Sequence, residues 1–149
     1  MKANLLSERL LLTLWVGSLC AIGYLAVPLA FATLGDISLA GNYAGKLFAI
    51  VNILGMACAT IILMAKIILN GKQVLSLWRF WVVVLMLVLT LIFSLYLQPE
   101  IAAIKLVMSQ SSDVILERFD LFHRLSKNLY MLLTLLGIVL VLSSDRVEA

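Results

Sequence analysis

The sequence predicts an all-α fold, a polytopic membrane protein built as an antiparallel bundle of four transmembrane helices. Three observations predict it. Of the 149 residues, 64% are hydrophobic and 13% are charged, about half the roughly 25% charge of an ordinary soluble domain. A body of this size hides only about 70% of its unfolded surface, so it has no room for this much apolar side chain as a soluble globule. Four stretches also have the length, about 20 mostly apolar residues, that crosses a hydrocarbon core of roughly 30 Å. Finally, none of them shows the alternation over about 10 residues that marks barrel strands. The same composition excludes a disordered chain, a collagen and a disulfide scaffold.

The first span runs from Leu10 to Phe31 and carries no charge. Lys2 and Arg9 precede it, and Ala30-Phe31-Ala32 has the form of a small-x-small cleavage site. The apolar run, about 22 residues, exceeds the 7 to 15 of a signal peptide, so the span is expected to be retained. Gly23 and Pro28 predict a bend near its far end, since proline removes a backbone hydrogen bond. The second span runs from Leu47 to Leu69 with one internal charge, Lys66, and the third from Phe80 to Leu97, dense in Val and Leu. From Ser112 to Lys127 the pattern is amphipathic. Ile115, Phe119 and Phe122 share one stripe, while Asp113, Glu117, Asp120 and Arg124 share the other. This predicts an interfacial helix leading into the fourth span, Leu125 to Ser143, either lying at the surface or extending that span into solvent. Residues 1–149 thus read as a single four-span domain.

Positive charge sets orientation. One end of the bundle holds both termini and the second loop, with Lys2, Arg9, Lys66, Lys72, Arg79 and Arg146. The other end holds Lys46, Lys105, Arg118, Arg124 and Lys127, largely mixed with acidic residues. The short second loop carries Lys72 and Arg79 without an acidic partner, which predicts cytoplasmic termini. Trp78 and Trp81 fit an interfacial anchor beside Arg79, and Tyr96 fits the opposite interface. The net charge of +3 suits a partner made of anionic lipid bilayer. There is no basic stripe or fold signature for nucleic acid.

Lipid tails are as apolar as leucine, so membrane helices associate through close packing and a few polar contacts. Gly41, Gly45 and Ala49 recur every fourth residue, and Gly55 with Ala59 repeats the spacing deeper in span two. Span one offers Gly17 with Ala21, and Ala26 with Ala30. These stripes predict tight packing of spans one and two. The alternative is a face for a second copy of the chain or for a membrane protein partner.

Polar residues in or beside a membrane are candidate functional groups. They gather at the end away from the termini: Asp36, Asn42 and Lys46 around the first loop, Asn52 inside span two, and Asp120, His123, Ser126 and Asn128 at the start of span four. Asn52 needs a hydrogen-bond partner, because an unpaired amide in hydrocarbon is costly. Glu117, Asp120, His123 and Ser126 follow one another at helical spacing on one face. His123 is the only histidine. It is a weak metal candidate, since transition-metal sites draw several convergent ligands, and no metal or other cofactor is expected. Met56, Cys58, Met64, Met108 and Met131 are better read as core filling. Cys20 and Cys58 lie inside predicted spans and do not suggest a disulfide framework. No nucleophile elbow, zinc-protease helix, nucleotide loop or dinucleotide fingerprint is present, so no catalytic residue is assigned.

The run Tyr24-x-x-x-Pro28-x-x-Phe31-x-x-Leu34-Gly35-Asp36, followed by Ala40-Gly41-x-x-Ala44-Gly45-x-x-Phe48, resembles the transmembrane protein 205-like family, whose short bacterial members are grouped as domain of unknown function 4149. Phe122-His123-x-x-Ser126-x-x-Leu129 is similar to that family's entry to its last helix. The resemblance implies four spans, a bacterial inner-membrane location and no assigned biochemical activity. It points to Asp36, Gly41, Gly45, His123 and Ser126.

Function is therefore expected to be non-enzymatic, as a scaffold or accessory subunit that associates with itself or with another membrane protein. Two alternatives stand beside it. One is transport or binding of a small solute or metal ion through the non-cytoplasmic polar cluster. The other is a membrane redox subunit.

Overall fold

The computed structural model describes residues 2–107 and 113–143, with side chains for 6–105 and 117–143. Met108, Ser112 and Arg146 lie outside the described residues, as do the side chains of Lys2, Asp113 and Ile115. The described chain is helical almost throughout. It comprises α1 (Lys2–Ala21), a π-helical turn (Ile22–Ala26), α2 (Val27–Thr33), α3 (Ile37–Asn70), a 3₁₀ segment (Gly71–Ser76), α4 (Trp78–Ile92), a second π-helical turn (Phe93–Leu97), α5 (Gln98–Val107) and α6 (Asp113–Leu142). The four segments long and apolar enough to cross a membrane are Leu6–Thr33, Ile37–Ser76, Trp78–Lys105 and Glu117–Leu142.

These segments reach beyond the stretches read from hydropathy. A helix does not stop where apolarity stops; it stops where a cap or a breaker stands. Between the first two rods, Gly35 takes φ +65°, a left-handed conformation that glycine adopts without a Cβ clash. Asp36 then caps α3, its carboxylate accepting from the N–H of Ser38 at 2.7 Å and of Leu39 at 3.4 Å. That satisfies two of the donors left open at a helix start. Gly71, at φ +51°, closes the other end of α3. The amphipathic stretch expected ahead of the last span joins it as one continuous helix, α6.

The bend predicted near Pro28 takes a specific form. Pro28 comes just after the π turn, inside a helix whose backbone stays right-handed through Ala26 and Val27, and the wider turn accommodates the hydrogen bond that proline removes. The wider π turn ends with the N–H of Val27 donating to the carbonyl of Ile22.

Consecutive rods run antiparallel, each packs on the next, and α6 closes against α1. The ring buries Leu12, Trp15, Leu19, Met86, Leu133 and Leu140. The outward faces carry exposed Leu10, Leu14, Ile53, Leu95 and Leu135, a surface suited to lipid tails. Small residues admit bulky neighbours from several helices. Gly55 lies against the Trp15 indole, Gly23 against the Tyr130 ring, and Gly137 against Val16 and Met86. Ala59 is fully buried. Gly41 faces the Lys105 ammonium, at 3.1 Å from the position of an added Cβ, with the Phe31 ring of span one at 4.0 Å. Ala49 is half-buried, while Gly17 and Gly45 have nothing within 4 Å of an added Cβ. The glycine stripe of α3 therefore serves different helices along its length.

Candidate functional site

The deepest charges lie at the end of the bundle that carries the termini. Glu8 of α1 sits between Lys66 of α3, at 2.9 Å, and Arg79 of α4, at 3.0 Å. The three side chains are only 12%, 7% and 3% exposed. Arg79 also donates from Nη1 to the carbonyls of Leu140 and Ser143, at 2.9 and 2.7 Å, and to the Ser143 hydroxyl at 2.6 Å. The last carbonyls of a helix lack partners and form the negative end of its dipole. One guanidinium thus closes α6 while pairing with α1, and Glu8 ties α1 to α3. All four rods meet at this point.

This centre corrects the expected role of Arg79. Beside Arg79, which is buried, Trp78 and Trp81 remain exposed, and the Trp81 indole donates to the Leu75 carbonyl at 2.9 Å. Glu8 was not singled out by the sequence. The available signal was Lys66, since a charge inside an apolar span demands a countercharge at its own depth. Glu8 stands just before the first apolar run, at the same end of the bundle.

At the opposite end the predicted polar residues divide. Asp36 uses its carboxylate on its own helix start. Asn42, Lys46 and Asn128 are exposed. Asp120 pairs with Arg124 at 3.0 Å on the surface, with both side chains more than half exposed. His123 is half-buried, stacked on Phe119 with ring centroids 5.7 Å apart, and its charged neighbours are Lys127, Asp120 and Lys105. Ser126 is buried, and its hydroxyl has no partner among the described residues. The cation joining the helices here is Lys105, whose ammonium donates to the Gly41 carbonyl at 3.0 Å. Gln98 donates to the Gly45 carbonyl at 3.2 Å. At Gly41 the missing Cβ leaves room for the approach of Lys105, since an added Cβ would stand 3.1 Å from the Lys105 nitrogen.

Asn52 belongs to neither end. It is 1% exposed, in the middle of the bundle. Just above it Phe48, Phe93 and Tyr130 meet edge to face or tilted, with centroids 5.1 to 6.2 Å apart. The Tyr130 hydroxyl donates to the Leu19 carbonyl at 2.7 Å, linking α6 to α1. Among the described residues, no group of three or more His, Cys, Asp or Glu side chains comes together as a metal site. Cys20 and Cys58 are free thiols.

A family model described as "Domain of unknown function (DUF4149)" matches residues 10–110. That stretch includes Asp36, Gly41, Gly45, Asn52, Lys66 and Arg79. It ends before the Phe122-His123-x-x-Ser126 motif. Among curated proteins and among solved structures, nothing matches the chain.

Proposed function

We propose that this chain, which belongs to the domain of unknown function 4149 family, is a non-enzymatic multi-pass protein of the bacterial inner membrane, acting as a scaffold or accessory subunit. The observation that carries the proposal is where its interhelical polar groups go. Glu8, Lys66 and Arg79 pair with one another and with the end of α6. Gln98, Lys105 and Tyr130 donate to backbone carbonyls of neighbouring rods. Groups engaged in this way hold helices together, which suits a rigid body that presents its outer faces to lipid and to protein.

Cytoplasmic termini are part of the same proposal. Lys72 and Arg9 are exposed at the terminal end, where positive charge favours the cytoplasmic side. Kinship with the transmembrane protein 205-like proteins is likewise proposed, supported by Tyr24, Pro28 and Phe31 ahead of Gly41 and Gly45.

The test is extraction of the full chain from its membrane in native-lipid discs. The expected result is co-purification at fixed stoichiometry with a second copy or another membrane protein. A lone monomer that conducts a solute when reconstituted in vesicles overturns the proposal.

A further inference from the structure

Three rods carry a buried polar residue that stands three or four positions from each of the two layers around it. Asn52 comes four residues after Phe48 and three before Gly55; Thr134 comes four after Tyr130 and three before Gly137; Thr90 comes four after Met86 and three before Phe93. Phe48, Phe93 and Tyr130 touch one another and define the layer above. Gly55 against Trp15, and Gly137 against Val16 and Met86, define the layer below. Asn52, Thr90 and Thr134 therefore lie at one depth, and they are 1%, 0% and 3% exposed. Trp15 of the remaining rod borders this level and is fully buried.

Donors and acceptors in this layer do not match directly. The Thr90 hydroxyl donates to the Met86 carbonyl at 2.8 Å, and the Thr134 hydroxyl to the Tyr130 carbonyl at 2.9 Å. Their protons are committed, so each oxygen offers lone pairs only. Asn52 Nδ2 and Trp15 Nε1 are buried donors without a partner among the described residues. The Trp15 indole lies on Gly55, one turn along α3 from Asn52, a separation of roughly 5–6 Å between Cβ positions on one face. At that spacing one small molecule between the two donors accepts from both and donates to a threonine oxygen. A buried donor left unpaired in hydrocarbon is costly, while buried water typically makes about 3 hydrogen bonds to such groups.

We propose that the centre of the bundle is a water-binding site formed by Trp15, Asn52, Thr90 and Thr134. One bound water accepts from Trp15 Nε1 and Asn52 Nδ2 and donates to a threonine hydroxyl oxygen. The site lies on the bundle axis, between the aromatic layer and the Met86 layer, with apolar lipid-facing surface outside it.

The test is proton-detected NMR of the full chain in lipid nanodiscs, with water as the probe. The expected result is magnetisation transfer from water to the Trp15 indole proton and the Asn52 amide protons, with none to the Leu133 methyls. The exposed Trp78 indole serves as the positive reference. N52L should abolish the transfer to Trp15 while leaving the Trp78 signal unchanged. No transfer to either Trp15 or Asn52 in the wild-type chain overturns the proposal. So does a direct contact between the Trp15 indole proton and the Asn52 carboxamide without water, which requires no variant to detect.

Discussion

Glu8 is the residue on which most depends. It faces two cations, Lys66 and Arg79, with little water to screen them. Removing one partner from a buried ion pair costs about 3–5 kcal/mol, because the other charge stays buried alone. E8Q is therefore expected to destabilise the protein by about 3 kcal/mol, read as a lowered midpoint of thermal unfolding in detergent. E8Q combined with K66M should recover part of that loss, since it removes one stranded charge. An equal midpoint for E8Q and wild type would mean that the pair is hydrated and contributes little.

Two glycines give a contrast at the same scale. G55A drives a methyl into the Trp15 indole, and overpacking of a filled core costs about 1–3 kcal/mol. G45A meets nothing within 4 Å and gains helix propensity, up to about 1 kcal/mol. Denaturation of the two variants side by side should show G55A less stable than wild type and G45A at least as stable.

Among the elements, α3 shows how caps set what hydropathy does not. It begins at a capping aspartate and ends at a left-handed glycine, so it extends past the apolar run at both ends. D36A removes an acceptor from the exposed start of α3 and is expected to cost about 0.5–2 kcal/mol. Hydrogen exchange should locate the loosening at Ser38 and Leu39 while leaving the N–H of Asn52 protected. Protection lost uniformly along α3 would assign Asp36 a wider role. The π turns belong to this scale as well. Each turn ends two residues before a proline, Pro28 in the first rod and Pro99 in the third, and the second turn places Phe93 within the aromatic layer.

For the whole molecule, the even number of crossings fixes relations among the loops independently of absolute orientation. Reporters fused after Ala149 and within residues 71–76 should read the same side of the membrane, and a reporter within residues 34–36 the opposite side. Under the proposed orientation, the first two read cytoplasmic. A C-terminal reporter on the same side as residues 34–36 would break the antiparallel four-span arrangement itself.

Composition and the spacing of apolar runs determined the class, the four helices and their antiparallel order, because lipid tolerates only segments that satisfy their own backbone. They also marked the residues that stand out by type, Asn52, Lys66 and His123. Tertiary structure decided which of these meet. Asp36, Asn52 and His123 read as one cluster in sequence because all are polar and fall toward one end. In the fold the first caps a helix, the second enters the central layer, and the third stacks at the surface of α6. Glu8, Lys66 and Arg79 lie far apart along the chain and read as unrelated charges near span ends. Only the antiparallel ring brings them to one depth, because a contact between helices depends on register and rotation, which no local pattern encodes.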